Sequence, residues 1–193
     1  MTKHFVFSTL LGLLIIFAIT GCFSVKSLNQ QVNGKWTSLS AENLGNGTFG
    51  YRTFDLTPEK WEIHFTLYLD EARTTPVFTF RGNGSYKIEG PSTVVPGASN
   101  AVFYFSKKYV TLHTDNADLL KNFGFAGLGL QKNVEKDISE KGASFLPSVQ
   151  AYGQEYDLLQ LKDGQLYFGM RSNDNRPLDI LKRFKTLHYE LQK

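Results

Sequence analysis

The sequence predicts an all-β protein with one or two short helices, folded as an antiparallel β-barrel or half-barrel. Three observations predict it. Apolar and polar residues alternate over long stretches. Turn residues separate those stretches at short intervals. Aromatic side chains are abundant, with 16 Phe, 9 Tyr and 2 Trp in 193 residues. Alternation with period two gives a strand one dry face and one wet face, the pattern of an antiparallel sheet. Large flat side chains at this density suit a strand-rich core or a wide apolar pocket.

The amino terminus is of a different kind. Lys3 and His4 precede an uncharged stretch from Phe5 to Phe23, nearly all aliphatic between Leu10 and Ile19. A positive region, an apolar region and then small residues make the layout of a secretory signal. The stretch ends in Ile19-Thr20-Gly21-Cys22, which resembles a bacterial lipobox. That likeness implies cleavage before Cys22 and acylation, including palmitate, of the new terminus. An uncleaved membrane helix is the alternative, since about 20 apolar residues span a bilayer. The sequence thus divides into a signal peptide over 1–21, a lipidated tether over 22–33 and one barrel domain over 34–193. Phe23 follows the cysteine where an inner-membrane retention signal would place Asp. The expected address is the bacterial cell envelope, at the outer membrane and facing the periplasm, with acyl chains as the membrane contact.

The strands follow in order. Gly34 to Ser38 and Tyr51 to Leu56 come first. The clearest is next: Trp61, Ile63, Phe65, Leu67 and Leu69 share one face, while Glu62, His64, Thr66, Tyr68 and Asp70 share the other. Val77 to Arg81 and Ser85 to Glu89 flank Gly82-Asn83-Gly84, a hairpin signal. Ala101 to Phe105 and Tyr109 to His113 flank Lys107-Lys108. Glu155 to Leu161 and Gln165 to Met170 flank Lys162-Asp163-Gly164, a second tight hairpin. Leu187 to Leu191 closes the set. A short helix is expected over Asn116–Asn122, capped by Asn116 or Asp115, and a helical turn over Arg176–Leu181. The apolar, glycine-rich Phe123–Leu130 beside the charged Gln131–Lys141 reads as a lid, a membrane-facing loop or a plug of one barrel end.

Catalytic and metal chemistry find little support. Lys and Arg number 21 against 18 Asp and Glu, too even a balance for a nucleic-acid surface. One cysteine excludes an internal disulfide and a cysteine-based metal site. The four histidines are scattered, with no HExxH and no i, i+4 pair. His64 and Glu62 share one strand face and read as a solvated pair. Glu62 and Asp70 lie about 26 Å apart along an extended strand, too far for a glycosidase pair. No nucleophile elbow or phosphate loop is present. No cofactor, no metal and no enzymatic activity are expected.

Two motifs remain. Gly34-Lys35-Trp36 resembles the Gly-x-Trp that opens the first strand of lipocalin-like barrels. That likeness implies Trp36 at the barrel floor, with a late arginine such as Arg171 or Arg183 over its ring. The longer motif runs through Tyr51-Arg52-Thr53-Phe54, Trp61-x-Ile63-x-Phe65-x-Leu67-Tyr68-x-Asp70, Thr75-Pro76-x-Phe78-Thr79-Phe80, Gly84-x-Tyr86 and Val95-Pro96-Gly97-Ala98. Its order and spacing resemble the adenomatosis polyposis coli down-regulated protein family over roughly Gly34 to His113. The resemblance implies a lipocalin-like barrel whose cavity takes a lipid chain. The animal members carry cysteines around the segment matching Asp70 to Pro76, where this chain has Arg73, Thr74 and Thr75.

Independently of any resemblance, an eight-stranded barrel encloses room for one small ligand. Its inward positions are expected to be Ile63, Phe65, Leu67, Phe78, Phe80, Phe103, Phe105, Leu166 and Phe168. The expected function is a membrane-anchored lipoprotein that binds a lipid or other hydrophobic ligand. The alternative is a non-catalytic envelope module that contacts another protein and has a filled core. An enclosed apolar space of about 300 Å³ or more separates the two.

Overall fold

The computed structural model describes residues 27–170 and 187–193, with only the backbone of 187–192. The leader, Cys22, Arg171, Arg183, the turn expected at Arg176–Leu181 and the His188 side chain lie outside the described residues. Ten strands form one antiparallel sheet. Eight of them make a ring: β1 (Gly34–Ser38), β3 (Thr48–Leu56), β4 (Lys60–Tyr68), β5 (Pro76–Pro91), β6 (Ser99–Leu112), β8 (Gln154–Lys162), β9 (Gln165–Gly169) and β10 (Leu187–Gln192). Each pairs with the next, and β10 returns to β1 over Thr37↔Gln192 and Ser38↔Leu191. The fold is therefore the all-β, nearly closed barrel that the alternation predicts, with two short helices among the described residues. Strand β2 (Glu42–Gly45) extends β3 above one rim, and β7 (Lys136–Asp137) pairs with the outer half of β6.

Both expected turns inside the long hairpin are corrections. Gly82-Asn83-Gly84 lies within the continuous 16-residue β5, and Lys107-Lys108 within the 14-residue β6. These glycines serve close approach, not a turn. A Cβ on Gly84 would stand 1.8 Å from the Tyr104 carbonyl oxygen, and one on Gly82 would stand 2.6 Å from the Phe105 ring. Opposite them β6 carries a bulge. Gly84 pairs with Phe105 and Asn83 with Lys107, so Ser106 has no partner across the ladder. One extra residue inverts which side chains face inward. Phe103 and Phe105 point inward before the bulge, and Lys108, Val110 and Leu112 after it.

Other turns follow their chemistry. Asp163 and Gly164 have φ of 51° and 77°, the left-handed pair that a two-residue hairpin needs. Asn46 and Gly47 have φ of 51° and 70° and join β2 to β3 in the same way. Asp70 holds the β4–β5 loop, accepting from the Thr74 and Thr75 amides at 2.9 and 2.7 Å. The Thr74 amide, followed by Thr75, keeps its carboxyl below the ordinary value. Arg73 stacks 4.3 Å over Tyr51.

The barrel has one filled end. Helix α1 (Leu28–Gln31) sits there, with Asn29 donating to the Pro58 carbonyl in the β3–β4 turn. Val32 and Trp36 are buried, and the Trp36 indole donates to the Val32 carbonyl at 2.6 Å. The tether expected to run through Asn33 is thus, from Ser27 onward, a capped turn packed on the core: Leu28 and Val32 supply apolar area that the polar look of the segment conceals. Lys193 Nζ lies 5.8 Å from the Trp36 ring.

Residues 113–153 fold over the outer halves of β5 and β6. Helix α2 (Ala117–Asn122) is capped by Asn116, which accepts from the Asp118 and Leu119 amides. Phe125 is buried against Phe78, with ring centroids 5.2 Å apart, so this stretch plugs against the sheet. Strand β7 straps it down through Ile138, whose amide donates to the Lys108 carbonyl at 2.9 Å. Asp137 beside it is held at about pKa 2 by the Ser139 hydroxyl, the Lys107 ammonium and the Ser139 amide. That value lies below an unfolded carboxyl near 3.8, so the contribution is present above about pH 4 and lost as pH falls through 2. Amide exchange at Ile138 should accelerate across that window, before exchange in β4 does; a flat profile at Ile138 would contradict this.

Candidate functional site

The barrel interior is not filled. A cavity of about 720 Å³ opens between the two halves of the sheet, on the side away from α1. Its deep wall is Phe54 from β3, Trp61 and Ile63 from β4, Phe103 and Phe105 from β6 and Phe168 from β9. Phe54 stacks on Phe168 with centroids 4.3 Å apart, and Trp61 meets Phe103 and Phe105 edge-on at 4.9 and 5.0 Å. Above them stand Phe65, Leu67, Phe78 and Phe80. The rim is Leu44, Phe145 and Met170, which are 43%, 49% and 43% exposed.

Of the residues expected to face a ligand, Ile63, Phe65, Leu67, Phe78, Phe80, Phe103, Phe105 and Phe168 line this cavity. Leu166 does not: it is fully buried in the filled end, with Trp36, Leu56 and Leu159. Trp36 likewise does not line the cavity; it is buried in the core cluster behind the wall residues Phe54, Trp61 and Phe168.

The cavity also carries charge that sequence reasoning missed. Arg52 on β3 and Glu42 on β2 form a nearly buried ion pair, Nε to Oε1 2.7 Å, and the guanidinium lies 4.9 Å over the Phe65 ring. Lys108 is 2% exposed, donates to the Pro147 and Tyr152 carbonyls at 3.0 and 2.6 Å, and lies 4.4 Å over the Phe105 ring. Glu155 and Asp157 are inward positions of β8. Asp157 accepts from the Leu158 and Gly169 amides at 2.7 and 2.8 Å. Arg52, Glu155 and Asp157 fall on the inward phase of their strands, so alternation alone pointed at them. Lys108 was hidden by the bulge at Ser106.

The outer wall holds a second polar group. Arg81 forks onto Glu135 with bonds of 2.9 and 2.6 Å, reaches Glu62 at 3.2 Å and stacks 3.8 Å over Tyr109. His64 meets Glu62 at 2.8 Å. Partial burial raises the Glu62 carboxyl, but hydrogen bonds from His64, Asn83 and Arg81 outweigh it and hold the group below its ordinary value. The group ties the 131–141 segment to the barrel wall. Among the described residues no three His, Cys, Asp or Glu side chains are grouped to hold a metal ion.

The arrangement can take up an apolar chain. Wall and rim include ten aromatic side chains, and the volume lies within the 300–1,000 Å³ of small-molecule sites. A family model described as adenomatosis polyposis coli down-regulated 1 matches residues 21–135, more than half of the chain. The match covers β1 through β6 and the cavity wall they build; β8, β9 and the rim residues Phe145 and Met170 lie beyond it. No curated protein matches the chain.

Proposed function

This chain belongs to the adenomatosis polyposis coli down-regulated 1 family, and on that premise we propose that it is a lipid-anchored envelope protein that binds a lipid or other hydrophobic ligand in its barrel. The observation that carries this reading is the 720 Å³ aromatic-walled cavity. It favours a binding protein over a contact module with a filled core. Burying eight methylenes there contributes roughly 6 kcal/mol before ordering costs, at about 0.8 kcal/mol each. The ligand class is a single acyl or similarly slender chain, because the wall offers stacking surfaces deep in the barrel and charged groups (Arg52, Glu42, Lys108) nearer the rim. The protein acts without catalysis, holding its ligand rather than transforming it. Its leader and Cys22 support export and acylation, with the outer membrane facing the periplasm as the address.

Native mass spectrometry of protein extracted gently from its own membranes tests this. The expected spectrum shows one additional hydrophobic mass per chain that persists in a Cys22→Ser variant and is removed by organic extraction. A clean apo mass under several extraction conditions contradicts the reading.

A further inference from the structure

We propose that the barrel stands on its filled end against the bilayer that holds its anchor, so that the cavity mouth faces away from that bilayer and the anchoring leaflet is not where the ligand enters. This rests on the lipid-anchored reading above.

The chain is fixed at the filled end before the first strand begins. Ser27 caps α1 there, its amide donating to Gln30 Oε1 at 3.1 Å. Asn29 bonds the β3–β4 turn, Leu28 packs on the core and Val32 is fully buried. These contacts prevent the segment from peeling upward without exposing Trp36, whose indole bonds the Val32 carbonyl. Cys22 precedes Ser27 by five residues. Five residues reach about 17 Å when fully extended and average about 12 Å as a flexible coil. The barrel wall is longer. Strand β3 has nine residues, about 26 Å along the strand and roughly 20 Å along the axis at a tilt near 40°. The exposed rim residues Leu44, Phe145 and Met170 lie at the far end of that wall. To lay this rim on the anchoring bilayer, the tether would have to climb the whole wall and turn the corner. It is too short to do so. The apolar rim is therefore presented to the aqueous side, where its ligand is given or taken.

The test uses the full-length acylated protein in phosphatidylglycerol–phosphatidylethanolamine vesicles carrying a nitroxide quencher on the lipid headgroup. A fluorophore is placed by Glu59→Cys, in the turn beside α1, or by Leu44→Cys on the rim. The expected result is quenching at least threefold stronger at position 59 than at 44. Inserting twenty Gly/Ser residues after Phe23 should abolish that difference. Equal quenching at both sites with the native tether, or stronger quenching at 44, overturns the proposal while the anchor reading stands. Flotation separates the two: if the wild type floats no better than Cys22→Ser, the anchor reading fails and the proposal falls with it.

Discussion

Replacing Gly84 with alanine should destabilise the barrel by about 3 kcal/mol or more, at the upper end of what overpacking costs. The added Cβ would lie 1.8 Å from the Tyr104 carbonyl oxygen and 2.9 Å from the Ser106 amide nitrogen. Both are backbone atoms in the middle of the β5–β6 ladder, the longest pairing in the sheet, and neither can rotate away. The bulge at Ser106 then has to move. With it goes the phase that sends Lys108, Val110 and Leu112 inward. A domain of this size has only 5–15 kcal/mol in total, so the loss is a large share. Gly82→Ala is the control. Its Cβ meets the Phe105 and Phe80 rings, side chains that can turn, and its effect should be clearly smaller. Urea melts of the three proteins check the order; equal midpoints for G84A and wild type would contradict it.

Trp36→Ala should cost about 3–5 kcal/mol by truncation of a large buried ring. A further 1–3 kcal/mol comes from stranding the Val32 carbonyl, which loses its indole donor. Trp36→Phe retains most of the packing and loses the hydrogen bond, so it should be the milder of the two. The physical point is that Trp36 does not itself line the cavity. It shares one core cluster with Val32, Leu56, Leu159 and Leu166 and with the wall residues Phe54, Trp61 and Phe168, and a phenyl ring in its place keeps most of that packing. W36F should therefore melt earlier in urea yet bind an apolar ligand as the wild type does. A parallel loss of binding in W36F, at denaturant concentrations where it remains folded, would show that the two regions act as one.

How much of this was legible in the sequence differs from element to element. Strand β4 was, because Trp61, Ile63, Phe65 and Leu67 alternate without interruption and the burial follows the same rhythm. The Asp163-Gly164 hairpin was, because two consecutive positive φ angles leave few residue choices. Gly82-Asn83-Gly84 misled, because glycine serves both a turn and a crowded strand, and only the Phe105 ring beside Gly82 and the Tyr104 carbonyl beside Gly84 tell them apart. Lys107-Lys108 misled for a related reason: two lysines read as a solvated turn until a bulge places one inside. Eight of the nine expected apolar residues line the cavity, while Phe54, Trp61, Leu44, Phe145 and Met170 line it without having been expected. Its charged members were not read: Arg52 sits on the inward phase of β3 but is buried only through its pairing with Glu42, ten residues away, and Lys108 only through the bulge and the Pro147 and Tyr152 carbonyls. The misplacement of Leu166 has the same origin: alternation tells which side of the wall a residue faces, not how far along the barrel the interior stays empty.

The sequence has two tryptophans, and only Trp61 lines the cavity, with Trp36 in the filled end. Titrating the protein with a nitroxide-labelled long-chain fatty acid therefore reads cavity occupancy directly from indole emission. The account predicts saturable quenching at one ligand per chain in the wild type and in W36F, and its disappearance in W61F. Quenching that never saturates, or that survives in W61F and vanishes in W36F, would contradict a ligand seated between Phe54, Trp61 and Phe168.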